Sequence, residues 1–175
     1  MTTFYDDRNY ELAWTRSGKP TATMLAFIDE FDDAAAKGLN PEDYDAALWP
    51  GRVLKLAGRS ADAISQFDVE MTVNVMRYIS DLRIGRVNPS HFNFDINVQS
   101  KKYDLAEFVS DHVVDATDVP KLISGVEPDS EQYRQTETAL GHYLALARQQ
   151  QQDGIHPLPT VEKALTAGQH YEAAG

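Results

Sequence analysis

No cysteine occurs anywhere in the 175 residues. That absence removes disulfide bridges, thiolate nucleophiles and cysteine-ligated metal centres together, although it leaves the compartment open, because exported domains also do without the residue. Basic residues are scarce as well: 16 Lys and Arg stand against 27 Asp and Glu, a formal charge of −11. Such a surface repels a phosphate backbone, whose binding depends on cationic side chains releasing counterions, so nucleic acid is not an expected partner. Stretches such as "FIDEFDD" and "NPEDYD" read as solvated acidic faces rather than as docking sites for an anionic polymer. No apolar run approaches the roughly 18 residues that a bilayer crossing needs, and the chain is not expected to span a membrane. "MTTFYDDRNY" has neither the basic nor the apolar region of a secretion signal. Two expectations remain: a cytoplasmic protein, or one whose export signal lies upstream and is trimmed.

The familiar signatures of chemistry are missing too. The five histidines, at 91, 112, 142, 156 and 170, form no HExxH arrangement and no three- or four-residue pairing, so no metal or other cofactor is expected. No serine stands in a G-x-S-x-G turn, and no glycine-rich loop is present to cradle phosphate. "DEFDD" matches a calcium loop in composition alone, without its central glycine or distal glutamate. Paired carboxylates could serve a glycosidase, but among 27 acidic residues such pairs arise by chance.

What is present is helical punctuation. Hydrophobic residues make up 42% of the chain, enough for one sizeable core and one domain. "FYDDRNYELAW" mixes aromatic and charged residues without a period, which predicts an extended arm packed by Phe4, Tyr5, Tyr10 and Trp14, closed by a turn at Ser17, Gly18 and Pro20. Met24, Leu25, Phe27, Ile28, Phe31, Ala34 and Ala35 then recur at helical spacing until Gly38. Asn40 caps a short helix with Pro41 in its first turn, predicted to end near Trp49 and Pro50. Ile64, Phe67, Met71, Val75, Tyr78 and Leu82 lie three or four apart and mark a central helix, continuous from a Ser60 cap or broken where Asp68 could cap. Gly85 ends it and Pro89 follows. The stretch after Ser90 is irregular; Asp104 then caps a helix burying Leu105, Phe108, Val109 and His112. A small helix starts at Thr117 or Asp118 and ends near Gly125. A last long one follows "PDS", with Tyr133, Leu140, Tyr143, Leu144 and Ala147 inward. The expectation is an all-α single domain of about seven unequal helices over residues 1–155, with a proline-containing linker over 156–175.

"MRYISDLRIGRVNPSHF" closely resembles the signature "RY..DLR.GRV.P" of the helical scaffold domain of large bacterial murein L,D-transpeptidases, through Arg77, Tyr78, Asp81, Leu82, Arg83, Gly85, Arg86, Val87 and Pro89. "FYDDRNYELAW" is similar to that family's "FY..R.Y.PAW", "AAAKGLNPEDY" to its "A...GL.P.DY", and "EQYRQTETALGHYLAL" to its "Y..L..AL..Y". The fragments come in the family's order across essentially the whole chain, with Glu11 standing where the family usually has proline.

The resemblance implies a periplasmic or cell-envelope protein in which this domain precedes a wall-binding module and a catalytic module that builds 3-3 crosslinks in peptidoglycan. Catalysis in that family uses a cysteine in a motif of the form "S.GC.R", which this chain lacks, so no residue here is expected to be catalytic and the enzyme would be the parent protein. Arg77, Tyr78, Asp81, Arg83, Gly85, Arg86 and Pro89 are the motif and candidate interaction residues; the motif is expected to be mainly a structural joint at a helix end, with Arg83 and Arg86 bonding free carbonyls or pairing with Asp81 or other carboxylates, the alternative for Arg86 being contact with glycan carboxylates or with the catalytic module. The expected role is a scaffold that positions the downstream modules. The alternative is a module that binds peptidoglycan or peptide in its own right.

Overall fold

The computed structural model describes residues 2–86, 104–152 and 154. Seven α-helices run through them: α1 (Thr2–Asp7), α2 (Ala22–Asp32), α3 (Trp49–Leu54), α4 (Ala61–Arg83), α5 (Leu105–Phe108), α6 (Val119–Val126) and α7 (Glu131–Gln152). The only strands among the described residues are β1 (Thr15–Arg16) and β2 (Lys19–Pro20), a minimal antiparallel hairpin. The chain is therefore an all-α domain. The expected linker over 156–175 and the irregular stretch after Ser90 lie outside the described residues.

Helix α4 is the axis of assembly. Ser60 caps it by accepting the Ala63 N–H, and it continues unbroken for 23 residues. Phe67, Met71, Val75, Tyr78, Ile79 and Leu82 form its buried stripe. A second buried row, Asp68, Thr72 and Asn74, widens that arc. Helix α2 lies against it with Met24, Phe27, Ile28 and Phe31 inward, while Leu25 faces out. Thr21 caps α2 through the Met24 N–H, and a 3₁₀ turn extends it to Lys37, where Gly38 at φ 74° provides the left-handed stop. Between the helices, Phe31, Tyr44 and Tyr78 meet with ring centroids 5.1–5.6 Å apart. Aromatic pairs of this kind contribute about 0.5–1.5 kcal/mol each beyond the area they bury.

The N-terminal segment is not the extended arm its composition suggests. Residues 2–7 are helical, Phe4 is fully buried, and Asn9 and Tyr10 at φ 51° and 59° reverse the chain behind them. The reversal leaves Tyr10 72% exposed, with its hydroxyl on the Asp6 carboxylate. Pattern reading failed here because one turn of helix needs only one buried anchor, too little to establish a period.

Trp49 and Pro50 begin a helix rather than end one. The chain from Pro41 to Leu48 makes two 3₁₀ turns, hinged at Asp45 with φ 57°, and α3 starts with Pro50 in its first turn, where its missing N–H costs nothing. Past Phe108, the helix widens into a π-helical turn over Val109–Val113. This turn buries Val109 and Val113 and leaves His112 exposed, against its expected inward position. Helix α7 has no buried residue at all: Tyr133, Leu140 and Leu144 are half-buried, Ala147 is exposed and Tyr143 is 69% exposed.

Candidate functional site

The turn "NPEDYD" docks on the C-terminal half of α4, and that junction gathers most of the motif residues. Asn40 begins it by accepting the Glu42 N–H. Tyr44 then drops its ring into the aromatic cluster and spends both polar ends on partners: its hydroxyl donates to Asp81 at 2.8 Å, and its carbonyl accepts from Trp49 Nε1 at 2.8 Å and Asn74 Nδ2 at 3.1 Å. A buried carbonyl with two donors is fully satisfied, which makes this turn rigid. Asp45 receives Arg52 at 2.9 Å, and the Arg52 guanidinium lies 4.7 Å from the Trp49 ring centroid.

At the solvent edge the same turn is held by two arginines. Arg77 Nη1 donates to the Asp43 carbonyl at 2.8 Å, and Arg86 pairs with the Asp43 carboxylate at 2.7 Å. Arg86 reaches back because the helix ends in a left-handed residue: Gly85 has φ 93°, and its N–H bonds the Asp81 carbonyl. A Cβ at Gly85 would meet nothing within 4 Å, so the demand for glycine there comes from the backbone conformation alone. Asp43, Arg77, Asp81 and Arg86 line a recess of about 310 Å³. Two cations and two anions stand together around it.

A second tie holds the N-terminal segment. Asp68, fully buried, accepts the N–H groups of Ala13 at 2.9 Å and Trp14 at 2.8 Å and the hydroxyl of Tyr5 at 2.9 Å. Thr72, one turn on, accepts Trp14 Nε1 at 2.8 Å. The aromatic and backbone groups of "FY" and "AW" are thus the donors that make this carboxylate tolerable inside the core. Burial together with the neighbouring Asp68 charge pushes the Tyr5 phenol well above its ordinary range, despite its contact with Thr72.

The third tie is ionic. Lys37 meets Glu127 at 2.6 Å and Glu137 at 3.7 Å, and Tyr133 donates to Glu127 at 3.1 Å. It joins the end of α2 to the α6–α7 turn and the first half of α7. Burial works against the Lys37 charge, but the Glu127 hydrogen bond and the surrounding carboxylates outweigh it and raise the ammonium's pKa. Glu30 accepts from the buried Tyr78 hydroxyl at 3.3 Å, and burial lifts its carboxyl above the ordinary 4.5.

The motif residues separate into distinct places. Arg77, Asp81 and Arg86 come together on the Asp43–Tyr44 turn, and Gly85 makes that possible. Tyr78 is a core residue, Arg83 lies on a different groove beside α6, and Pro89 is outside the described residues. Asp68, Thr72 and Asn74 were missed as tying residues. In sequence an aspartate near a helix start reads as a cap, and nothing local tells of donors more than fifty positions away.

Among the described residues no group of three His, Cys, Asp or Glu is placed to hold a metal ion, and no helix is long and apolar enough to cross a membrane. Every motif side chain placed at the junction is engaged in holding one element to another. These features define a helical framework domain, its polar groups turned to internal bracing. A scaffold-domain family model matches residues 1–140, and the chain belongs to that family. No curated protein and no solved structure matches it.

Proposed function

We propose that this chain is the non-catalytic scaffold of a peptidoglycan L,D-transpeptidase-like protein of the periplasm or cell envelope, where it holds the catalytic and wall-binding modules in register. The observation that carries the reading is the scaffold-family match over residues 1–140, on a chain whose motif fragments resemble those of large murein L,D-transpeptidases. Its contribution to rate is positional: a rigid platform converts the encounter of donor, acceptor and thiolate into a pre-oriented one, and misplacement by about 1 Å can cost on the order of a hundredfold. Rigidity is what the three ties supply, since each closes a long-range contact with satisfied polar groups. A structural joint needs no free cation, and Arg86 is already paired with Asp43.

The test uses the full reading frame. Deleting the domain while leaving a downstream cysteine module intact should depress 3-3 crosslink formation from disaccharide-tetrapeptide donors, measured by mass spectrometry of the products. The 175-residue chain alone should form none. A crosslink made by the isolated chain, or a parent protein without an L,D-transpeptidase module, would overturn the proposal.

A further inference from the structure

Helix α7 is attached to the domain differently from the other long helices. Helices α2, α4 and α6 each bury part of one face, whereas α7, 22 residues long, buries no side chain. Its half-buried residues Tyr133, Glu137, Leu140 and Leu144 fall three or four apart and so share one face. Among the described residues none of its apolar side chains packs on the hydrophobic core, whose last member along the chain is Val126 of α6.

That face is seated on two consecutive residues. Leu140 lies over the bare backbone of Gly38, where a Cβ would stand 3.7 Å from Leu140 Cδ2, and Glu137 meets the Lys37 ammonium at 3.7 Å. The nearer partner of Lys37 is Glu127, at 2.6 Å, which precedes α7. The two carboxylates share one ammonium and repel each other, and they differ in access to water: Glu127 is 10% exposed and Glu137 35%. Salt therefore screens the Glu137 contact far more than the Glu127 contact. A pivot lies between them. Helix α6 ends at Val126, Glu127 is extended, and Ser130 opens α7 by accepting the Tyr133 N–H at 3.2 Å, which leaves Pro128 and Asp129 as the connection. Tyr133 also donates to Glu127, but from beside the pivot, where a rotation moves it least.

We propose that α7 is a hinged lever, latched on the Lys37–Gly38 seat through Glu137 and Leu140 and released by rotation about Pro128 and Asp129 while the rest of the domain stays folded. Local opening of this kind belongs to elements with few buried apolar contacts. Glu127 stays hooked to Lys37 in both positions, so only the lever moves. Its length amplifies the motion: 22 residues at about 1.5 Å each put Gln152 about 33 Å from the pivot, and a rotation of about 10° displaces that end by about 6 Å. This inference stands apart from the cell-wall reading, since it uses only contacts within the chain.

The chain has no cysteine of its own, so Val69→Cys on α4 and Leu146→Cys on α7, both at exposed positions, give a unique pair for nitroxide labels. Double electron–electron resonance on the 175-residue chain then reads the distances between lever and body. Raising sodium chloride to about 1 M, where the screening length falls to about 3 Å, should shift population from the docked distance to a second one. The fluorescence of Trp14 and Trp49, both buried in the body, should stay native throughout. Glu137→Gln should lower the ratio of docked to released lever about two- to fivefold at low salt and remove most of its salt dependence. Lys37→Met should release the lever at every salt concentration. Because Lys37→Met also strips Glu127 of its partner, Glu137→Gln, which leaves the Lys37–Glu127 pair whole, is the deciding variant. A single distance population that neither salt nor Glu137→Gln alters, or a shift that comes only with loss of native tryptophan fluorescence, would overturn the proposal.

Discussion

Replacing Asp68 by alanine removes the acceptor for three donors at once: the Ala13 and Trp14 amides and the Tyr5 hydroxyl. Each buried donor left without a partner costs about 1–3 kcal/mol. The alanine also relieves the cost of holding a carboxylate in the core, so the lower part of the summed range applies, about 3–5 kcal/mol. That is a large share of the roughly 5–15 kcal/mol by which a domain is stable. For a chain of 175 residues it corresponds to a fall in melting temperature of about 6–20 °C.

Urea denaturation followed by tryptophan fluorescence is the suitable assay, because Trp14 donates both its backbone N–H and its indole N–H to this network. Asp68→Asn should lose less, about 1–3 kcal/mol: Oδ1 takes two donors and Oδ2 one, so the amide can keep the pair and forfeit the single bond. The order Ala worse than Asn, each with an unchanged denaturant slope, is the expected result. If Asp68→Ala cost less than about 1 kcal/mol, the claim that this carboxylate clamps the N-terminal segment would be wrong.

Other consequences are smaller and sort by burial. Arg86→Ala breaks a partly solvated pair with Asp43 and should cost no more than about 1 kcal/mol by chemical denaturation, whereas a larger loss would mean that the recess is an energetic centre and not a rim. Tyr44→Phe deletes the donor to Asp81 while keeping the ring in its cluster, which predicts a loss of about 0.5–1.5 kcal/mol with near-native circular dichroism. Glu30 gives a pH signature. Its folded carboxyl binds its proton more tightly than the ordinary 4.5, so its contribution to stability is fully present below that value and is lost as pH rises through the raised folded value. Glu30→Gln, locked in the neutral form, should flatten the stability profile in that window and gain on the wild type at its upper end; parallel profiles would contradict the assignment. Amides of residues 145–152 should exchange with deuterium far faster than those of α4, because no side chain of that half-helix is buried.

The helices announced themselves where a stripe and a cap coincide. The row Phe67, Met71, Val75, Tyr78 and Leu82 is buried as its spacing demands, and Ser60, Asn40 and Asp104 each accept the N–H that a capping residue should. The junction was half legible. Arg77, Asp81, Gly85 and Arg86 stood out by resemblance, but their shared partner, the Asp43–Tyr44 turn, lies more than thirty positions upstream, and no local rule connects the two.

Side-chain depth was the least readable property. Tyr10 and Tyr143, both expected inward, are among the most exposed aromatics of the described residues, and Asp68, expected at most to cap, is wholly inside. Periodicity states which residues share a face. It does not state how much of that face a neighbour covers, and α7 shows the difference: Glu137 and Leu140 reach the Lys37 turn, yet no residue of the helix is buried.

By itself the sequence determined that this is one helical domain, where most helices begin and end, and that no thiol chemistry can reside in it. Those properties follow from local backbone preferences, from amphipathic period and from composition, all of which are written within a few residues. Only the tertiary structure decided that the charged and hydroxyl groups of separate fragments close on one another around α4. Which donor finds which acceptor depends on the three-dimensional meeting of elements distant along the chain, and that meeting is set by the packing of the core.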